Sequence, residues 1–443
     1  MIEFGLVITC VFFGLCGVSL ATIFSLIPGL HIYSILGFVV LFWLENVFLN
    51  PLIFAAFTVS MLIGYCLGSS ISAVYFQTPD DSSVFLVFPS QKYLDEGRGY
   101  EAVYLTGLGA VVGAFIACML IIFAGAFLTM LVDLLVVHSF WIIATAMLFV
   151  WMSEWPKDPA RQKTRLGKLG AAWVQLSMGL FVIVAAGILG IYLFFSQLVP
   201  PERSFQGLAA AFVGLFAFPS LIQNLFSAKK DIPKQNLGES IELNRGEFAQ
   251  GTAAGVIGGS IGMLIPSLTA GVGNTFARHA VAQSGDRSFM FSQGVSRSIY
   301  YIGAVLLLFI PGVLIRRGGA SLFITMFYIP ETQGELLVIA STVLISAVFG
   351  WFIFNLLAKL FTKTIHRINT RYIAIFGIIV MLSLTYWMLG PAGLFILAIG
   401  TAIGFIPLVF NTRRIHCIAV ITIPIMISMA GLTFVFSQFF GIA

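Results

Sequence analysis

Ser69, Ser70 and Ser72 lie shortly before Thr78-Pro79-Asp80-Asp81, in the stretch IGYCLGSSISAVYFQTPDD at residues 63–81. Ser69 and Ser72 are spaced i to i+3, which stacks two hydroxyls on one helix face, and the proline frees backbone groups beside them. Hydroxyls and open backbone amides can hold an anion without the large desolvation cost of burying Lys or Arg. Asp80 and Asp81 are the acids best placed to take a coupling Na+ or H+; an Asx turn at a helix end is the structural alternative. A second set flanks two other prolines. Pro28, Gly29 and His31 end one glycine-rich apolar segment, and Pro266, Ser267 and Thr269 end another. Short hydroxyls beside the exposed amides of a half-helix make an anion site without net charge. The substrate-binding set is therefore read as Pro28, Gly29, His31, Ser69, Ser70, Ser72, Thr78, Pro266, Ser267 and Thr269, with Asp80 and Asp81 as the ion-coupling pair. Arg278, His279, Arg287 and Arg297 follow the second segment and read either as anion receptors or as ordinary cytoplasmic charge. No H-E-x-x-H, G-x-S-x-G or P-loop occurs, and the five histidines are scattered at 31, 138, 279, 366 and 416. Those absences argue against an enzyme and call for no metal or other cofactor.

The elements that carry these residues are membrane helices. The chain has 443 residues, 59% apolar and 9% charged, with a mean hydropathy of +1.02. Soluble domains hold roughly 25% charged residues, so a soluble globule is excluded. The apolar residues fall into about a dozen runs of some 18 to 28 residues, each able to cross a hydrocarbon core of about 30 Å as helix. An outer-membrane barrel would instead alternate over about 10 residues. No loop is long enough for a separate soluble domain, so function sits in the membrane body of a multi-pass plasma-membrane protein. Its partners are the lipid bilayer and a small organic anion or anionic lipid, not nucleic acid. The net charge of +5 first reports orientation.

Basic loops give the topology. Lys157, Arg161, Lys163, Arg165 and Lys168 crowd one loop; Lys229, Lys230, Lys234 and Arg245 a second; Lys363, Arg367 and Arg371 a third; Arg413 and Arg414 a fourth. Two crossings, 171–196 and 207–226, separate the first two loops. Two more, 373–390 and 391–410, separate the last two. Three apolar runs (249–276, 293–315 and 334–361) lie between loops that should share a side, so one run must enter and leave on one face. The run 249–276 holds Gly255, Gly258, Gly259, Gly262, Pro266, Gly271 and Gly273. It is read as a re-entrant hairpin broken near Pro266, with a kinked spanning helix as the alternative. Asp133 falls at the turn between two apolar runs, and 52–88 is expected to fold back at its own proline.

Sliding the chain by 238 positions places residues 17–30 (GVSLATIFSLIPGL) over residues 255–268 (GVIGGSIGMLIPSL), with seven of fourteen positions identical. Broken segments in corresponding positions of two halves point to the binding site of a secondary transporter. The expected fold is an all-α polytopic membrane protein of about 10–12 apolar segments, in two inverted repeats with broken or re-entrant hairpins. The boundaries are an N-terminal repeat at 1–226, a cytoplasmic linker at 227–248 and a C-terminal repeat at 249–443.

Leu26-Ile-Pro-Gly-Leu30, Gly68-Ser-Ser-Ile-Ser-Ala-Val74, Thr78-Pro79, Pro89 and Gly97-Arg-Gly-Tyr-Glu-Ala102 together resemble the large membrane subunit of the tripartite tricarboxylate transporters, the TctA family. The likeness is best over residues 15–110 and looser over 250–325, through Gly255 to Pro266 and Arg316-Arg-Gly-Gly-Ala320. The short length and the P-G-L-H form look like the archaeal branch. Departures are Pro266-Ser267 for the second P-G, Gly68-Ser69-Ser70 for G-G-S, and Pro79-Asp80 for the second-motif P-G. The resemblance implies a permease with inverted repeats that imports small carboxylates by an ion gradient. It also implies two partners, an extracytoplasmic receptor and a small membrane subunit.

The leading reading is thus an alternating-access permease for a di- or tricarboxylate. A translocase for an anionic lipid such as a polyprenyl phosphate is the alternative, and a structural membrane protein the third. A polar central cavity, a groove open sideways to lipid and a fully packed centre would distinguish them.

Overall fold

The computed structural model describes residues 3–45, 50–155, 164–226, 232–238 and 241–442. Lys157, Arg161, Lys163, Lys229 and Lys230, on which part of the loop reading rests, lie outside them. The described residues are helical with no strand. Chain order gives α1 (Phe4–Phe24), α2 (Ile32–Glu45), α3 (Pro51–Tyr75), α4 (Val87–Asp95), α5 (Gly99–Met152), α6 (Arg165–Phe195), α7 (Ser204–Phe212) and α8 (Phe218–Phe226). After the linker come α9 (Arg245–Leu264), α10 (Ala270–Ala280), α11 (Asp286–Ser298), α12 (Ala304–Leu306), α13 (Gly318–Thr325), α14 (Gln333–Thr364), α15 (Thr370–Phe410), α16 (Ala419–Met429) and α17 (Thr433–Phe439). Two π-helical turns, Val213–Ala217 and Ile299–Gly303, join α7 to α8 and α11 to α12.

Seven helices among the described residues are long and apolar enough to cross a membrane. Two of these are long enough for a pair of crossings. In α15 the chain breaks at Gly390, whose φ of 64° and ψ of −148° only glycine adopts readily, which divides it at the junction expected between 373–390 and 391–410. Helix α5 is hydrogen-bonded over 54 residues, about 80 Å if straight. Yet near one end Glu101 meets Arg287 at 3.2 Å, and near the other the ring of Phe149 lies 6.0 Å from that of His279. Only seven positions separate His279 from Asp286 along the chain, too few to span a straight α5, so α5 is bent between these contacts.

The two halves repeat one plan: helix, break, helix, helix, break, short helix, long helix. The first half runs α1, α2, α3, α4, α5, and the second α9, α10, α11 with α12, α13, α14. Their directions are opposed. Helix α1 runs parallel to α14, with Gly14 against Thr342 and Val18 against Gly350, and α14 ends where Thr362 meets Tyr75 at 2.6 Å. Helix α9 starts on that same face, where Glu247 and Glu101 share Arg287. The repeats are therefore inverted. Gly29 and Ser267, matched by the 238-residue offset, both take the left-handed backbone, with φ of 87° and 61°.

The matched breaks differ in closure. Helix α10 lies back along α9 as a hairpin because Gly273 faces the carbonyl of Gly258 and Gly262 faces the backbone of Thr269 and Ala270. At the corresponding positions of the first half stand Leu20, Phe24 and Ile35. Those side chains hold two helices apart, and α2 packs instead on α7 while α1 packs on α3. After α3 the chain turns through 76–83 and α4 returns against α3 and α5.

The basic loops gather on one face. Lys92 pairs with Asp286 at 3.2 Å, the Gly99 amide donates to Gln235 of the linker at 2.7 Å, and the Arg413 amide donates to Glu154 at 2.7 Å. This common face agrees with the side assigned to those loops from charge alone.

Candidate functional site

The breaks converge. The chain turns at 76–83 in the first half because Pro79 cannot donate a helical hydrogen bond, and this places Asp80 and Asp81 in the protein interior with their backbone unpaired by helix. Arg297 reaches them from α11 and is fully buried. Its Nη2 donates to Asp80 Oδ2 at 3.1 Å and to Ser69 Oγ at 2.7 Å, and its Nε donates to Ser82 Oγ at 3.0 Å. Asp80 is saturated with donors. Oδ2 also accepts from the Tyr65 hydroxyl at 2.6 Å, and Oδ1 accepts from the Ser82 amide, the Ser82 hydroxyl and the Ser83 amide at 3.1, 2.8 and 2.7 Å.

Asp81 binds the two proline breaks together. Its Oδ1 lies 3.0 Å from His31 Nε2, and its backbone carbonyl accepts from Thr269 Oγ1 at 3.3 Å. His31 Nδ1 accepts the Tyr33 amide at 3.2 Å, so Nε2 carries the proton that faces Asp81. The imidazole stacks on Phe212 at 5.1 Å between ring centroids, which fixes its plane. Tyr301, in the second π-helical turn, donates to Ser82 at 3.3 Å. Both π-helical turns thus touch the site, a placement common where a helix wall serves function.

These groups surround a central chamber of about 20 Å³, room for one water, lined by Gly29, His31, Ser69, Ser72, Thr78, Asp80 and the first π-helical turn. Pro79 forms part of its wall and also part of a much larger cavity of about 1220 Å³. That vestibule lies on the basic face, among Lys92, Glu154, Arg278, His279, Asp286, Arg413 and Arg414. One thin partition at Pro79 therefore separates the buried charges from a water-accessible entrance.

The sequence-derived residues distribute as follows. Gly29, His31, Ser69, Ser72, Thr78 and Asp80 line the chamber, and Asp81 and Thr269 lie directly behind it. Pro28 is buried with its carbonyl toward Gly377 of α15. Ser70 turns away from the chamber and donates to the Cys66 carbonyl at 2.7 Å, since one residue rotates a helix by about 100°. Pro266 and Ser267 form the half-buried tip of the α9–α10 hairpin outside the chamber lining. Arg297 separates from Arg278, His279 and Arg287: those three lie on the basic face, while Arg297 sits at the centre. Reading by residue type grouped Arg297 with the basic-face charges, as anion receptor or ordinary cytoplasmic charge, and did not single out Tyr65, Ser82 or Ser83. Its place inside an apolar stretch was the signal that sets Arg297 apart from the other three basic residues.

The chain is 23% identical over 376 residues to "Uncharacterized protein MJ1079" of Methanocaldococcus jannaschii, an alignment that covers 82% of this chain and 83% of that protein. No solved structure matches it. Residues 11–419 match the family model described as the tripartite tricarboxylate transporter TctA family; the chain belongs to that family and is a multi-pass membrane permease subunit.

Proposed function

We propose that this permease carries a small polycarboxylate, with the tricarboxylates of the family's description as the first class to test, by alternating access at the Asp80–Arg297 centre. The observation that supports this most is the fully buried guanidinium, set among hydroxyls and backbone amides where broken helices of inverted repeats meet. An arginine fork reads a carboxylate in two-point geometry that ammonium groups do not match. Ser69, Ser72 and Thr78 supply the neutral part of the anion site, and the chamber widens as the π-helical wall moves. The vestibule is the cytoplasmic exit by the positive-inside rule, and the extracytoplasmic receptor and small membrane subunit act on the opposite face.

Coupling belongs to His31 and Asp81. His31 Nε2 and Asp81 Oδ1 face each other across a buried contact of 3.0 Å, so a proton shared between them can load from one face and leave from the other. Proteoliposomes given an inward proton gradient should accumulate labelled citrate, and Asp81→Asn or His31→Gln should abolish the response to the gradient. A response to a sodium gradient alone would move the coupling ion to Na+. The panel should include succinate, citrate and a polyprenyl phosphate. Movement of the lipid without any carboxylate would replace this reading with lipid translocation.

The serines make a sharper comparison. Ser72→Ala should raise KM about fivefold, the value of one neutral hydrogen bond near 1 kcal/mol. Ser69→Ala should raise it more, because this hydroxyl also accepts from Arg297. Ser70→Ala, one residue along and facing Cys66, should leave KM unchanged. Equal effects at all three positions would assign the serines to packing.

A further inference from the structure

An alternating-access cycle has two crossings through the closed state, one loaded and one unloaded. A fully buried guanidinium needs a partner in both, because an uncompensated buried charge costs far more than a paired one. In the loaded crossing the substrate carboxylate can serve. For the unloaded crossing, Asp80 is the one carboxylate that pairs with Arg297 among the described residues. Asp81 is committed to His31 instead.

The donors around Asp80 are those any carboxylate would require: the Arg297 fork, the Tyr65 and Ser82 hydroxyls, and two backbone amides. Asp80 is also well placed to yield. It lines the chamber next to Pro79, the partition to the vestibule, and it sits on non-helical backbone that can swing without unwinding a helix. Arg297 keeps spare capacity, since Nη1 has no hydrogen-bond partner among the described residues. One turn earlier on α11, the fully buried Gln293 has both amide atoms without a hydrogen-bond partner among the described residues.

We propose that Asp80 is a resident stand-in for the substrate carboxylate: it neutralises Arg297 whenever substrate is absent, so the unloaded carrier crosses and the permease performs net transport instead of obligate exchange. The inference rests on the anion-carrier reading above and adds the role of one residue to it. An entering carboxylate takes the Arg297 fork and displaces Asp80. On release, Asp80 returns and the empty site can close.

The test compares two fluxes in proteoliposomes loaded with labelled citrate, diluted into buffer with or without citrate. Wild-type efflux without external citrate should run within about threefold of efflux with it, as a compensated empty site requires. Asp80→Asn keeps the size of the side chain and removes its charge. It should slow net efflux at least about tenfold more than exchange, because the empty site now holds an unpaired arginine while the loaded one does not. Equal slowing of both fluxes would make Asp80 merely structural and overturn the inference. Should Asp80→Asn fail to fold, the wild-type ratio still decides: efflux that depends on external citrate overturns the inference and leaves the anion-carrier reading intact. No flux of any carboxylate of the panel, with the receptor and small membrane subunit reconstituted alongside, overturns that reading, and this inference with it.

Discussion

Arg297→Gln should reduce carboxylate uptake to the level of empty liposomes. The guanidinium is fully buried and makes three hydrogen bonds at the centre of the site, to Asp80, Ser69 and Ser82. Its loss also strands Asp80 as a buried carboxylate, and breaking such a pair by removing one partner costs about 3 to 5 kcal/mol. Reduced expression of the single variant is therefore expected and would not by itself show a transport role. The double variant Arg297→Gln, Asp80→Asn separates the two effects. Removing both charges should restore a monodisperse protein, since replacing both members of a pair is far less costly than replacing one. Uptake should stay absent. Arg297→Lys keeps the charge but not the fork, and should leave a weak activity with a raised KM. Normal transport by the folded double variant would remove Arg297 from the site.

A second large effect is expected where α11 crosses α5, because that crossing aims Arg297. A side-chain carbon at Gly294 would collide with the backbone carbonyl of Thr106, and one at Gly109 with that of Phe291. The helices touch backbone to backbone, a contact that only glycine permits on both sides. Gly294→Val must push α11 off α5 along its length, and Arg297 lies three residues further on. We expect loss of the folded protein in size-exclusion profiles, with a destabilisation of about 3 kcal/mol or more. Gly170→Ala in α6 is the control: nothing among the described residues lies within 4 Å of that position, so the profile should not change. A stable, active Gly294→Val would show that α11 can move away from α5 without cost.

Both effects concern contacts of different legibility in the chain. The breaks at Pro28, Pro79 and Pro266 can be read directly, because a missing amide and adjacent glycines interrupt a helix wherever they occur. Inversion follows from charge, since basic loops on one face fix the direction of every run between them. Closure of the hairpins was less visible: Gly258, Gly262 and Gly273 let α10 return along α9, and only a comparison with Leu20, Phe24 and Ile35 explains why α2 does not return along α1. Within the hydroxyl wall, helical rotation turns Ser70 away from the chamber that Ser69 and Ser72 line, which their one-dimensional spacing does not display. The central ion pair was not legible. Asp80 and Arg297 are 217 residues apart, and nothing local to either one names the other. Reading the apolar run from residue 293 also placed Arg297 near its edge, whereas α11 already starts at Asp286 and carries Arg297 a full three turns inside.

The central claim is that a carboxylate is held at Arg297 in exchange for Asp80. A cryo-EM map of the permease in lipid nanodiscs with saturating citrate, or with whichever carboxylate the uptake panel selects, tests this most directly. The account predicts density between Arg297, Ser69 and Ser72, a chamber wider than the present one, and Asp80 moved out of hydrogen-bond range of the guanidinium. Anion density confined to the vestibule, with the 3.1 Å contact between Arg297 and Asp80 still closed, would contradict it.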